Sequence, residues 1–328
     1  MLQGLDQFLF GGWLDAPGGE LHLVGASIGA LRLACAAQPD AQSALARFAR
    51  LYPGEEYQPR PGERTGQAFL GARYRALLDD ILGPTAGEAL VHPRRRLHVV
   101  TDRGRGLLAR VVPGLTPLAF AAMAVANRIG RQRLGAFLER VVFSDPRAPL
   151  PFDPGSLPTR HAALCRDNLA QVVLASGSIP LLFPPVIDPV GAPPGNYWDG
   201  GVGDYQLHWP WARAFAGEGI VLYPHYEARL VPGWLDKRLV ARHTATPALA
   251  NVVLLAPTDE WLRALPGGRL PDRGDYRRLR SSPGKRQSAW AEAVARSEAL
   301  AEDFAGWLAR GCPVDETEPW EGTQAPAR

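Results

Sequence analysis

Lysine is almost missing from this chain of 328 residues. It occurs only at Lys237 and Lys285, so the positive charge is carried by arginine. The formal net charge is only +3, and the arginines are scattered. Their one triplet, Arg94-Arg95-Arg96, reads as a solvated strand entry rather than a phosphate track, so no nucleic-acid partner is implied. Cysteine is equally sparse. Cys35, Cys165 and Cys312 lie far apart, in no CxxC or Cys/His spacing. That excludes a disulfide framework, offers no metal site, and reads as packing or surface thiols of a reducing compartment. Long apolar runs are absent too. The longest, LAFAAMAVA at 118–126, is too short to span a bilayer. The opening stretch MLQGLDQFLFGGWLD has no basic region and no small-residue cleavage site, so it does not read as a signal peptide. A cytoplasmic protein, at most peripheral to a membrane, is expected.

With 46% hydrophobic residues, the chain can bury a real core. Residues 20–25 alternate and end on glycine, as a strand does. Residues 28–37 favour helix, and 66–83 read as a helix stopped by a Gly-Pro pair. LHVVTD (97–102), RVVFSD (140–145), GIVLYPHY (from 219) and NVVLLAPTD (251–259) read as strands. Residues 117–138 read as an apolar helix. Strands alternating with helices predict an α/β domain with a mostly parallel central sheet flanked by helices. Residues 260–284 read as a surface loop. Residues 288–311 read as a helix docking Trp290, Val294, Ala301, Phe304 and Leu308 on the core. There is no internal repeat.

Gly25-Ala26-Ser27-Ile28-Gly29 falls at the first strand–helix junction. Composition alone would produce GxSxG about 0.1 times in such a chain. A nucleophile elbow belongs at this kind of junction. Gly25 and Gly29 supply the small neighbours a tight turn needs, and the first turn of the helix, at Ile28 and Gly29, presents free N–H groups to a developing oxyanion. A structural turn explains the pentapeptide equally well. A serine nucleophile needs a base. In a Ser-Asp-His esterase or thioesterase, His225 or His243 would fill that place.

A second constellation, ASGSIPLLFPPVIDPVGAPPGNYWDGGVGDY at 175–205, is dense in turn formers. Asp199 precedes Gly200 and Gly201, which allow a backbone turn to fix a carboxylate. Together, GASIG, ASGSIPLLFPPV and WDGGVGD resemble the patatin-like phospholipase family, over roughly residues 1–215. The resemblance implies a patatin-like α/β hydrolase fold and a two-member dyad. Ser27 would be its nucleophile and Asp199 its base, with Gly25, Ile28, Gly29, Gly200 and Gly201 around the substrate and its oxyanion. Ser176 and Ser178 read as structural. The reaction implied is hydrolysis of a lipid acyl ester, of phospholipase A or lysophospholipase type. No metal, no organic cofactor and no nucleic acid is implied.

The family's glycine-rich loop, GGGxRG-like, normally ends its first strand and forms its oxyanion hole. It has no counterpart in the 24 residues before Gly25, which offer only Gly11-Gly12 and Gly18-Gly19. Residues 1–14 resemble the helix that follows that loop. The chain is therefore expected to lack both the loop and the first strand, which leaves a non-catalytic relative as an alternative. Residues 1–258 would form the patatin-like domain, 259–312 a loop and a packed helix, and 313–328 a disordered tail. The apolar segments 118–126 and 179–187 read as core, with an acyl groove or a transient membrane contact as the other reading. Trp13, Trp198, Trp209 and Trp211 read as core or as interface.

Overall fold

One long strand organises the sheet. The computed structural model describes residues 2–57, 66–217 and 219–320. The chain runs from α1 (Gln3–Phe10) through β1 (Leu21–Ala26) into α2 (Ile28–Ala36), then through α3 (Ala41–Gly54) and α4 (Gln67–Leu82) to β2 (Arg95–Gly104). After α5 (Leu115–Ile129) come β3 (Leu138–Ser144), β4 (Thr159–Ala163), α6 (Leu169–Ser176), β5 (Val186–Ile187) and β6 (Asn196–Asp199). The remainder holds β7 (Val221–Pro224), β8 (Val252–Leu255), α7 (Asp259–Ala264), α8 (Asp275–Arg278), α9 (Pro283–Ala295) and α10 (Glu298–Ala309).

The result is the α/β fold read from the sequence, a mixed six-stranded sheet flanked by helices, with β7 and β8 as a separate pair. Pairing is parallel at β1/β2, β3/β4 and β7/β8, and antiparallel at β2/β3, β2/β6 and β5/β6. β3 occupies one edge of β2. The other edge is shared end to end: β1 pairs with residues 95–100 and β6 with residues 101–103. β1 is parallel to β2 and β6 antiparallel, so their C-terminal ends meet at Val100 and Thr101. That shared edge is what builds the site.

Small residues bring α2 close to the sheet: Ala30, Ala34, Cys35 and Ala36 are all fully buried. Burial pushes the Cys35 thiol up to about 12, so it is an inert packing group. Arg95 and Arg96 are not solvated, contrary to the sequence reading. Arg95 donates to Ala36 O and Phe10 O, carbonyls at the ends of α2 and α1, where a cation suits the helix dipole. Arg96 pairs with Glu20.

The C-terminal helix is two helices, not one. Ser297, fully buried, accepts the Gly4 N–H and donates to Val294 O, which breaks the run between α9 and α10. Trp290 and Phe304 still face the core. The segment read as a loop at 260–284 holds α7 and α8; Thr258 caps α7 by accepting the Trp261 N–H. The helix read over 117–138 ends at Ile129, and a 3-10 segment, Arg131–Ala136, follows. Of the tail expected to be disordered, residues 313–320 carry a 3-10 turn, Val314–Glu316, and Trp320 donates to Ala228 O. Residues 321–328 lie outside the described residues. Trp198, Trp209 and Trp211 are buried, while Trp13 is partly exposed against Phe304. No helix among the described residues is long and apolar enough to cross a membrane.

Among the strand edges that pair with nothing among the described residues are the side of β1 away from β2 and the side of β7 away from β8. The two strands share their layers. Leu21 and Leu222 pack on the same core cluster, and Val24, Ala26, Val221 and Tyr223 pack on the opposite one. A cavity of about 1320 Å³ runs along both edges and reaches Ser27 and Asp199.

Candidate active site

Ser27 follows the last residue of β1, and Asp199 ends β6. Ala26 and Asp199 lie opposite Val100 and Thr101, successive residues of β2. Two side chains 172 residues apart are thereby brought together, and Ser27 Oγ donates to Asp199 Oδ2 at 2.6 Å. Ser27 has φ 55° and ψ −130°, a strained conformation for any residue with a Cβ. It is the geometry of an elbow that lifts its hydroxyl off the sheet. Gly25 is required: a Cβ there would sit 2.7 Å from Gly29 C and 2.8 Å from Ala30 N. Gly29 faces open space, so the turn itself does not demand a glycine there.

The end of α6 holds both partners. Ser176 Oγ accepts the Ser27 N–H at 2.9 Å and donates to Val100 O at 2.6 Å. The Asp199 N–H donates to Ser178 O at 3.0 Å. These are the structural roles read for Ser176 and Ser178. Ser176→Ala leaves a strained N–H and a buried carbonyl without their shared partner, and should destabilise by about 1–3 kcal/mol in urea denaturation. The loop after Asp199 is fixed just as firmly. A Cβ at Gly200 would collide with Val100 O. The Gly203 N–H donates to Asp102 Oδ2 at 2.6 Å. Asp204 forms a buried two-pronged ion pair with Arg140, at 2.6 and 2.7 Å, and accepts from Trp209. Sequence reasoning missed these anchors, although Asp204 lies within the quoted WDGGVGD.

Asp199 is 5% exposed. Burial raises its carboxyl to about 6, against the opposing pull of the Ser27 hydroxyl, the Gly201 N–H, Arg273 and Lys237. The Gly201 N–H donates to Asp199 Oδ1 at 2.7 Å. It orients the carboxylate and is not turned to an oxyanion, as the sequence reading had allowed. Lys237 lies over the Tyr205 ring at 4.0 Å. Arg269 and Arg278 are taken up by Asp272 and Asp275, whereas Arg273 is in no ion pair among the described residues.

The histidines are turned elsewhere. A ring nitrogen of His225 lies 2.6 Å from Glu227 O, and one of His243 lies 2.9 Å from Asp236 O. Neither is hydrogen-bonded to Ser27 or Asp199. A second cavity, of about 660 Å³, opens on Ser27 and Ile28 between Leu70, Tyr74, Leu182 and Phe183, with Arg273 on its wall. Ile179 lines both cavities. This part of 179–187 is therefore cavity wall rather than the sealed core expected. No cluster of metal-binding side chains occurs among the described residues.

An α/β sheet with a serine elbow at a strand–helix junction defines the α/β hydrolase class. The patatin-like phospholipase family model matches residues 21–205, and the chain belongs to that family of lipid acyl hydrolases. The matched span begins at the first residue of β1 and includes both Ser27 and Asp199. Arg273, α9 and α10 lie outside it. No curated protein matches the chain.

Proposed function

We propose that this chain hydrolyses lipid acyl esters, of phospholipase A or lysophospholipase type, through an acyl-Ser27 intermediate. The observation that carries this reading is the 2.6 Å hydrogen bond from the strained Ser27 hydroxyl to Asp199. Ser27 Oγ attacks the ester carbonyl carbon, and its proton passes to Asp199 Oδ2. The carbonyl oxygen becomes an oxyanion facing the first turn of α2, where the Ile28 and Gly29 N–H groups have no intrahelical acceptor. Collapse expels the alcohol, which takes the proton from Asp199. Water then attacks the acyl-enzyme, giving its proton to Asp199, and the second collapse returns that proton to Ser27 and releases the acid. The acyl chain lies in the cavity walled by Leu70, Tyr74, Leu182 and Phe183. A second N–H donor would come from an extended segment seated beside the open edge of β1.

A fluorophosphonate probe tests this. It should label Ser27, and Ser27→Ala should remove both the label and hydrolysis of p-nitrophenyl acyl esters. A folded wild-type chain that never labels would leave a non-catalytic lipid-binding relative, and labelling that survives in Ser27→Ala would put the reactive nucleophile elsewhere. The base works only when ionised, and its carboxyl is raised to about 6 by burial. The labelling rate should therefore be flat above pH 7 and fall about tenfold per unit well below pH 6. Arg273→Ala removes a charge that holds the carboxyl down, so it should move this limb to higher pH.

A further inference from the structure

The segment read as core at 118–126 is core on one side only. Thr116, Ala119, Phe120, Met123 and Asn127 of α5 are buried, and Phe120 meets Trp198 edge to face. The opposite side is bare: Leu118 is 66% exposed, Val125 62% and Ile129 66%, with Leu115 also exposed. At 3.6 residues per turn these four fall within about 80° of arc. Val111 and Val112 extend the stripe, tied to the helix by the hydrogen bonds between Val112 and Thr116.

The surroundings are basic. No Asp or Glu occurs from residue 104 to 138. Arg105, Arg110, Arg128 and Arg133 enter no ion pair among the described residues. The nearby acids Asp204 and Asp236 are buried and matched to Arg131, Arg140 and Arg242. An aliphatic face this broad, on a segment whose exposed charges Arg110, Arg128 and Arg133 are all unmatched cations, is unusual on a solvated surface.

We propose that the outer face of α5 docks this chain on an anionic lipid bilayer. The aliphatic stripe enters the acyl boundary, and the arginines meet the phosphates around it. Charge selects this occupant over a second copy of the chain, because pairing two such faces would set eight unmatched arginines against each other with no acid between. The inner side of α5 packs on Trp198 and Val202, which flank the Asp199 turn.

Sedimentation with vesicles tests the assignment, using phosphatidylcholine alone or mixed equally with phosphatidylglycerol. The full chain should bind the mixed vesicles, and should release at high salt. Leu118→Asp with Val125→Asp should lower binding by about tenfold or more. Arg110→Glu with Arg128→Glu should abolish the preference for anionic vesicles. All four side chains are exposed, so melting temperatures should hold. Ser27→Ala should bind like wild type, and both surface pairs should label at Ser27 normally without vesicles, which separates this surface from the proposed chemistry. Failure to bind mixed vesicles, equal binding by the variants, or a solution dimer broken by the Leu118/Val125 pair would overturn the proposal.

Discussion

Asp199→Asn is expected to slow fluorophosphonate labelling of Ser27 by about 100- to 10,000-fold, the range lost with a positioned general base. The carboxylate accepts two hydrogen bonds, one oxygen from Ser27 and the other from the Gly201 N–H. Asparagine has one acceptor oxygen. Gly201, fixed in the tight turn, keeps it, and the amide NH₂ then faces Ser27 Oγ as a donor. The serine proton has nowhere to go, while the turn stays intact. Stability should move the other way. A carboxyl raised from about 3.8 to about 6 binds its proton more tightly folded than unfolded. Its contribution is therefore favourable at acid pH and is lost as pH rises through that window, about 3 kcal/mol by pH 7. A neutral amide avoids that loss. Chemical denaturation at pH 7 should find Asp199→Asn no less stable than wild type, with a smaller advantage for it at pH 4. A variant that labels at the wild-type rate would remove Asp199 from the mechanism. One that loses both labelling and stability would make the residue structural.

The elbow was legible because it is local: an alternating run, GxSxG and a helical run sit within twenty residues, and each signal points to the same junction. Asp199 became legible through its glycines. Its meeting with Ser27 was implied only by the family resemblance and not by the residues themselves, because it depends on two strands abutting along one edge of β2. The same limit hid Ser176, whose hydroxyl acts only across α6, β2 and the elbow. Arg95 and Arg96 looked solvated because nothing local shows the helix-end carbonyls that Arg95 reaches, or the carboxylate that Arg96 meets. An almost wholly apolar helix such as α5 has no polar face in its sequence, so its exposed side emerged only from packing. The break at Ser297 was invisible for a similar reason, since its partner is Gly4, at the other end of the chain. That the open edge of β1 lies beside β7 emerged only from the pairing and the shared layers.

That position leads to the second large effect. Joining an apolar strand with a glycine-rich turn ahead of Leu2 should raise turnover of a p-nitrophenyl acyl ester by about 100- to 1000-fold, the range associated with one oxyanion donor. The geometry suits such an addition. Asp6, one turn into α1, pairs with Arg32, one turn into α2. Phe10, at the other end of α1, accepts from Arg95 at the start of β2. The N-terminal end of α1 is therefore at the Ser27 end of the sheet, and Leu2 and Gln3 line the large cavity. A segment entering there meets the free edges of β1 and β7, which already share two apolar layers, and about six residues at 3.3 Å each match the length of β1. Its glycine-rich turn would fall beside Ser27, where backbone N–H groups without a Cβ approach closely. Hydrogen exchange makes the result decisive, because amides of β1 and β7 on the open edges should gain protection when the strand is seated. Protection with the rate gain, abolished by Ser27→Ala, would identify the slot as a seat for a second oxyanion donor. Protection without any gain would mean that this strand completes the sheet and not the catalyst.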